Sequence, residues 1–527
     1  MTARSAPSPS TGEGRGGNNV PPAIELRGID KRFGPVHANR AISLSVPAGT
    51  IHGVVGENGA GKSTLMSILY GYYQADAGEI WIKGRRRDIR STADAIAAGI
   101  GMVHQHFMLV DTFTVLENVV LGVEGGPLLR RGMERARAEL ERLEREYKLE
   151  VDIDAVVGDL AVGLRQRIEI LKALYRGAEV LILDEPTGVL TPAEADHLFR
   201  ILRALKAEGK TAILITHKLR EVMAVTDNVT VMRRGQVVAT VRTAETSPAA
   251  LAEHMVGRKV LLSVQRTPAK PGREVLRVEG LQVIDGAGIA RVRDVGFAVR
   301  AGEIVGVAGV AGNGQSELIE AIAGMRAVAA GRIVLNGQEV ATRATHLTPR
   351  ALRDRKLAHI PEDRQRMGLV VPFAAHDSAI LGQQGKPAFN IGPLLNQRGI
   401  IDSCQHQMDR YDVRPDDPHL KSANFSGGNQ QKIVLAREIE TDPDLLLVGQ
   451  PTRGVDIGAI EFIHRRLIEL RDAGKAILLV SVELDEILGL ADRILVMNEG
   501  RIVGELAAEE ADEQKLGLLM AGVARAA

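Results

Sequence analysis

The run Gly56-Glu57-Asn58-Gly59-Ala60-Gly61-Lys62-Ser63 fits the pattern G-x-x-x-x-G-K-[ST] and follows the short apolar strand Ile51-His52-Gly53-Val54-Val55. A glycine-rich loop between strand and helix points several backbone N–H groups at one anion, helped by the helix dipole. Lys62 would reach the β- and γ-phosphates of a nucleotide and the Ser63 hydroxyl would ligate Mg²⁺, with Thr64 next in the cradle. Residue frequencies alone give such a match in roughly a few per cent of cases, and its place after a strand removes that reading. A second motif, Leu183-Asp184-Glu185-Pro186-Thr187, ends another apolar run. Two adjacent carboxylates at a strand's C-terminal end suit a metal–phosphate site in a parallel sheet. Asp184 would hold Mg²⁺, directly or through water, and Glu185 would position and polarise an attacking water. Alone, these residues would read as a polar strand end entering a turn; 128 residues beyond a complete phosphate loop (184 − 56) they do not.

The chain carries a second, altered copy. Gly309-Val310-Ala311-Gly312-Asn313-Gly314-Gln315-Ser316 is the same loop with glutamine in place of lysine. Lys62 and Gln315 differ by 253, as do Gly71 and Gly324, and Gly84 and Gly337. Farther on the offset is 265, relating Gly163 to Gly428, Asp184 to Gly449, Asp227 to Asp492 and Gly235 to Gly500. The sequence is therefore two homologous halves, and the twelve extra residues of the second (265 − 253) fall between its phosphate loop and Gly428. Insertions concentrate in surface segments, so the middle of each copy is expected to be its variable part.

The elements that must position these groups are legible from pattern. Order is expected to begin at Ala23-Ile24-Glu25-Leu26, an alternating strand, and Lys62 to Tyr70 reads as the helix after the loop. Val180-Leu181-Ile182-Leu183 and Ala212-Ile213-Leu214-Ile215 are apolar throughout, with helix-like segments between. Such alternation means a parallel sheet covered on both faces. Arg130 to Glu150 has helical periodicity and a charged, solvated face. Between Val256 and Glu274 a Lys/Arg/Pro segment without apolar pattern joins the halves.

Composition bounds the rest. At 527 residues, 45% apolar, the chain can bury two or more large cores. Lys plus Arg equals Asp plus Glu at 66 each, so no global field draws it to nucleic acid or anionic lipid. A single cysteine, Cys404, excludes an internal disulfide and reads as a bystander in a reducing compartment. No apolar run approaches the roughly 20 residues that span a bilayer. Residues 1–22, rich in Ser, Gly, Pro and Thr, read as a disordered tail and not a signal peptide. A soluble, cytosolic protein that reaches a membrane only through a partner is expected.

With these motifs the chain resembles the ATPase subunit of an ATP-binding-cassette transporter, from about residue 23 onward. The resemblance implies an α/β fold of two tandem P-loop NTPase domains. Each would have a RecA-like parallel-sheet core, an antiparallel β subdomain and a helical signature subdomain. The expected bounds are a tail at 1–22, a first domain at 23–257, a linker at 258–272 and a second domain at 273–527. It further implies that Phe33 stacks on adenine, that Gln105 senses the γ-phosphate and Mg²⁺, and that His217 clasps the γ-phosphate. Taken alone, His217 would be an ordinary histidine and Phe33 core packing. The family's signature loop matches Phe425-Ser426-Gly427-Gly428-Asn429-Gln430 in the second half and Leu160-Ala161-Val162-Gly163-Leu164-Arg165-Gln166 in the first.

In that family two cassettes pair head to tail, each phosphate loop facing the other's signature. The first composite site would then join Lys62, Ser63, Gln105, Asp184, Glu185 and His217 to Ser426, Gly427, Gly428 and Gln430, with nothing missing. The second would pair Gln315, Glu362, Gly449, Gln450 and Val482 with Ala161 and Gly163, and Asp285 falls near the counterpart of Phe33. Every loss falls on one site. A missing lysine removes a charge-assisted contact worth roughly 1.5–3 kcal/mol, and glutamine for the base removes on the order of 10²–10⁴ in rate. One ATP hydrolysed per closure, at the site built on Lys62, is expected.

A single chain with two cassettes and a degenerate second loop resembles the importers of simple sugars and nucleosides. Met102 to Val110, Thr114-Val115-Leu116-Glu117-Asn118, Leu183 to Pro192 and Pro451 to Asp456 are similar to the nucleoside branch. Phe107 to Val120 reads either as an apolar helix in its own core or as the docking place of a permease's cytoplasmic helix. The implied partners are integral permease subunits and, through them, a solute-binding protein, with the chain peripheral on the cytoplasmic face and no nucleic acid bound. A ribose- or galactose-like importer is the second reading. A tandem-cassette translation factor would keep both sites complete and carry a long charged helical linker. A DNA-repair cassette would carry a long coiled coil or zinc-binding cysteines, and a non-catalytic regulator would not keep the first site whole.

Overall fold

The computed structural model describes residues 21–34, 36–104, 107–122, 129–147, 149–160, 162–187, 190, 192–259, 266–310, 312–520 and 522. In the first half a six-stranded sheet runs in the order Gln236–Arg242, Asn228–Arg233, Ile51–Val55, Thr211–Thr216, Val180–Asp184, Ile100–Val103. All neighbours are parallel except the first pair. Every residue of Ile51–Val55 and of Thr211–Thr216 is buried, as a parallel sheet covered by helices requires. A second, antiparallel sheet of Val36–Val46, Ile24–Phe33, Ala77–Ile82 and Arg85–Arg87 packs beside it.

The second half repeats both sheets. Its six-stranded sheet runs Leu357–Ile360, Leu445–Gly449, Ala476–Ser481, Glu303–Ala308, Arg493–Asn498, Arg501–Ala507. Register obeys both offsets read from the sequence: Ile51 pairs with Ala212 in one half and Ile304 with Ile477 in the other. The twelve extra residues resolve into three places. Ile100 pairs with Val180 as Leu357 pairs with Leu445, so four lie before Leu357 (357 − 100 = 257). Bridges Thr114↔Val156 and Ala374↔Lys421 put three more before Ala374 and five between Ala374 and Lys421. The last stretch carries a small hairpin, Asn390–Ile391 with Leu394–Leu395.

Helices follow the periodicities. Lys62–Leu69 buries Leu65, Met66, Ile68 and Leu69, and Leu129–Tyr147 buries Ala136, Leu140, Leu143 and Tyr147 at three- and four-residue spacing while its described charges face outward. The run Phe107 to Val120 departs from expectation. Only Val115–Val120 is helical, started by a capping box in which Thr114 and Glu117 bond each other's backbone N–H. Met108, Val110 and Phe113 before it are exposed, non-helical residues. Among the described residues no helix is long and apolar enough to cross a membrane. The tail through residue 20 and the joining residues 260–265 lie outside the described residues. Just beyond them Thr267 is tied to the second half, its carbonyl accepting from the buried Arg471 at 2.9 Å.

The halves meet along a defined face. Ile457, at the start of the helix Ile457–Asp472, enters the first half's apolar cluster of Leu219, Val222, Leu251 and Met255. Arg220 pairs with Glu513, and Arg258 with Glu461 at 2.8 Å. The Lys218 ammonium reaches both oxygens of Glu483, at 2.9 and 3.0 Å. Lys218 and Glu483 are 265 residues apart, hence equivalent positions of the two copies, so their pairing marks the pseudo-twofold axis between the halves. Two identical first halves meeting there would oppose lysine to lysine. Reversing one charge, Lys218→Glu, is expected to lower ATP turnover about fivefold, the worth of roughly 1 kcal/mol. Adding Glu483→Lys should restore most of it; a double variant no better than the single one would contradict this account of the interface.

Candidate functional site

The first loop leaves the buried strand Ile51–Val55 and closes on Gly61, whose left-handed backbone (φ 95) caps the following helix. A β-carbon there would lie 2.3 Å from the Ala38 carbonyl oxygen, so only glycine lets the antiparallel sheet press on the loop. Asn39 holds the turn by donating to the Gly61 carbonyl at 3.0 Å. Lys62 is 6% exposed and donates to the Gly56 and Glu57 carbonyls, at 2.7 and 3.1 Å. Burial lowers its pKa, while the facing carboxylates of Glu185, Asp184 and Glu57 favour the charged form. The ammonium thus sits curled under the loop, where phosphate oxygens would take over the role of the carbonyls. Ser63 and Thr64 follow on the first turn and Ala60 is buried behind it.

Asp184 ends the strand Val180–Asp184 and hydrogen-bonds the Ser63 hydroxyl. Burial, and then the neighbouring Glu185 carboxylate, raise its pKa. A hydroxyl and a carboxylate short of countercharge are the hard oxygen donors that suit Mg²⁺. Among the described residues no group of three His, Cys, Asp or Glu could hold a metal alone, so phosphate oxygens and water would complete the shell.

Glu185 stands in left-handed backbone (φ 46), its N–H donating to the Ile215 carbonyl at 2.9 Å. Its carboxylate accepts from His217 Nδ1 at 2.8 Å, and that bond holds its pKa below the usual range despite burial. The carboxylate is therefore ionised at neutral pH and aimed by an imidazole. Behind it the turn is braced by a Thr187–Glu221 hydrogen bond and by Gln166, which donates to the Pro186 carbonyl at 2.6 Å.

The second half supplies the facing wall. Ser426 caps the helix Gly427–Ile439, its hydroxyl accepting from the Asn429 N–H. A β-carbon on Gly427 would lie 2.6 Å from the Gly454 carbonyl oxygen, and one on Gly428 2.8 Å from Asp456 Oδ2. That same Gly454 carbonyl accepts from Asn58 Nδ2 of the first phosphate loop at 3.2 Å. Glu57, whose pKa is raised by burial and by Asp456, also accepts from the Gly458 N–H. The first loop and the second half's signature are thus one carbonyl apart.

Three groups at this junction escaped the sequence reading. The Gly454 carbonyl and the carboxylate of Asp456 lie within Pro451 to Asp456, a run whose sequence signal is its likeness to the nucleoside branch. Arg364 donates to the Arg453 and Gly454 carbonyls at 2.6 and 3.3 Å and packs against Gly427. Its only sequence signal was its place two residues after Glu362.

Other expected residues take varied places. Phe33 is 40% exposed at its strand's end, edge-on to Tyr73 at 5.1 Å between ring centres and 5.4 Å from the Lys31 ammonium. Gln430 is buried and donates to the Ser422 carbonyl at 3.0 Å; its side chain turns into its own half and supports the signature from behind instead of lining the site. Gln105 and Ala161 lie outside the described residues. A groove between sheet and helical segment is lined by Tyr70, Tyr72, His104, Met108, Lys172 and Arg176.

The ABC transporter family profile matches residues 39–188 and 292–453. The chain is 48% identical over 499 residues to the guanosine import ATP-binding protein NupO of Bacillus subtilis, covering 95% of this chain and 97% of that protein. It is 46% identical to the nucleoside import ATP-binding protein NupA of Lactococcus lactis (95% and 98% covered). It is 45% identical to the glucose import ATP-binding protein TsgD13 of Haloferax volcanii (95% and 96%). A duplicated phosphate loop, carboxylates at the strand end and a facing signature thus coincide with kinship over nearly the whole length, and the chain belongs to the ABC transporter family as an ATP-hydrolysing subunit with two cassettes in one polypeptide.

Proposed function

We propose that this chain energises nucleoside import, hydrolysing ATP at one composite site made by the first domain's motifs and the second domain's signature. The observation that carries the one-site reading is the Gly454 carbonyl, touched by Asn58 from one half and packed against Gly427 from the other. The backbone from Gly56 to Gly61, with Lys62 and Thr64, holds the phosphates. Ser63, Asp184 and Gln105 would hold Mg²⁺, which would supply positive charge against the phosphates. Glu185 polarises the water, His217 orients that carboxylate and clasps the γ-phosphate, and Ser426, Gly427 and Gly428 present a helix N-terminus to it. Phe33 offers its exposed face to adenine. The domains are read as 23–257 and 273–527, joined by 258–272 and preceded by 1–22.

The nucleoside reading rests on kinship with the two nucleoside-import relatives and on the stretches around His104 and Asp184. A simple-sugar importer is the second reading, favoured by the glucose-import relative. The permease docks at the groove beside His104 and Met108, which places the chain on the cytoplasmic face of the membrane. Glu169 and Lys172, on the helix Val162–Tyr175 that follows the first half's signature loop, bond the Met108 backbone at 2.9 and 2.8 Å and tie that helix to the groove.

The test is uptake of labelled uridine, adenosine, ribose and galactose in cells lacking the chain, restored with it, or restored with Glu185→Gln. Loss of nucleoside uptake alone, unrescued by Glu185→Gln, is expected; loss of sugar uptake would favour the second reading. Purified Glu185→Gln should retain ATP binding and lose roughly 10²–10⁴ in turnover; a loss below tenfold would remove Glu185 as the base.

Asp184 makes a prediction of opposite sign. A carboxyl whose folded pKa lies above its unfolded one destabilises the fold once ionised, and this penalty vanishes as pH falls below the ordinary value of 3.8. Asp184→Asn should therefore raise the Tm of the nucleotide-free protein at neutral pH. The gain should shrink toward pH 4, and Mg²⁺-ATP should no longer stabilise the variant as it does the native protein. A lowered Tm at neutral pH would contradict this.

A further inference from the structure

Three residues at the junction of the halves are of types that the other copy does not repeat. Arg364, Gly427 and Gly454 meet at one point: a β-carbon on Gly427 would lie 2.6 Å from Arg364 Nη2 and 2.6 Å from the Gly454 carbonyl oxygen. The strands Ile100–Val103 and Leu357–Ile360 are offset by 257, which makes Phe107 the counterpart of Arg364 (364 − 257). The offset of 265 makes Val162 and Val189 the counterparts of Gly427 (427 − 265) and Gly454 (454 − 265). An arginine packed against two glycines thus belongs to the signature that faces Lys62; the other signature has a phenylalanine and two valines at those positions.

Arg364 opens a single π-helical turn, Arg364–Gly368, a feature that recurs at functional sites. Asp363 caps the turn, its carboxylate accepting from the Gln365 and Arg366 N–H groups at 3.0 Å each. At the far end the buried Arg437 donates to the Gly368 carbonyl at 2.6 Å. The turn is pinned at both ends, and its first side chain forks onto the Arg453 and Gly454 carbonyls at 2.6 and 3.3 Å. Burial works against the guanidinium charge, with Asp363 favouring it and Arg453 opposing it. Its Nε is buried without a hydrogen-bond partner. Such a group is a poor way to stabilise a fold, and what it secures is one carbonyl. The Gly454 oxygen has two lone pairs. Arg364 donates to it from within the second half, and Asn58 of the first phosphate loop donates to it from across the junction at 3.2 Å.

We propose that Arg364 is a positioning residue for ATP hydrolysis: its fork fixes the Gly454 carbonyl where Asn58 meets it and holds the Ser426–Gly427 turn against that carbonyl. The signature then reaches the first loop in one orientation, set from the second half by a side chain that touches no nucleotide. Gly427 is glycine for the same reason, since any β-carbon there would fall on the arginine and the carbonyl together. The proposal rests on the reading of Ser426, Gly427 and Gly428 as the wall that faces Lys62, and it does not depend on which solute is carried.

The experiment is steady-state ATP turnover of the full chain, native, Arg364→Gln and Arg364→Lys, with Tm reporting the fold. Arg364→Gln should lower kcat about tenfold or more and leave KM within about threefold, because ATP first meets the loop around Lys62. Arg364→Lys keeps the stem and the charge but not the fork; it should recover less than about threefold, and it carries the test where glutamine lowers the Tm. Asn58→Ala should itself lower kcat. Combined with Arg364→Gln it should be no worse than Arg364→Gln alone, since both act through one carbonyl. An unchanged kcat in Arg364→Gln beside a lost one in Ser426→Arg overturns the proposal and leaves the signature reading intact. Full recovery by lysine, or losses that multiply in the double variant, overturn it too. Turnover indifferent both to Arg364→Gln and to Ser426→Arg would undo the signature reading and the proposal with it.

Discussion

A lysine held charged where little water reaches it is the constraint on which the rest depends. Lys62 is 6% exposed and curled under its own loop, and burial works against its charge. What keeps it an ammonium is the pair of carboxylates at the end of Val180–Asp184, and what keeps them ionised is in part the lysine and His217. The group is electrostatically one unit. In the second half the lysine is glutamine, and both carboxylates of the strand end are gone, as Gly449 and Gln450. Losing the cation removes the countercharge for two half-buried acids, so their loss together is what electrostatics favours.

The second constraint is that this charged unit lies at an edge. Its open side is covered by the other half, through the Gly454 carbonyl, the capped helix at Ser426 and Arg364 behind them. Ile457 and the Lys218–Glu483 pair anchor the same face. His217 and Lys218 are adjacent in sequence, so the residue bonded to Glu185 neighbours one that marks the axis between halves.

Much of this was legible in the sequence because it lies in local patterns. The phosphate loop, the strand-end acids and the signature are short runs with fixed spacing, and the offsets of 253 and 265 reappear as sheet register. What stayed hidden depends on contacts between distant segments. Glu362 read as a lost glutamine because nothing local says that its carboxylate reaches Ser316, 46 residues earlier. The Gly454 carbonyl is backbone and leaves no residue type to read. Gln430 belongs to the signature pattern, but its position on a helix, not its identity, turns it inward. The run Phe107 to Val120 misled through apolarity alone, although Thr114-Val115-Leu116-Glu117 carries the capping-box spacing that dates the helix start correctly.

The most direct test of a single hydrolytic site shared between the halves is vanadate trapping of ADP on the full chain, native and Ser426→Arg. The account predicts one ADP trapped per native chain and none in Ser426→Arg, although position 426 lies 364 residues from Lys62 (426 − 62) and in the other half. Two ADP trapped per native chain, or one undiminished in Ser426→Arg, would contradict it.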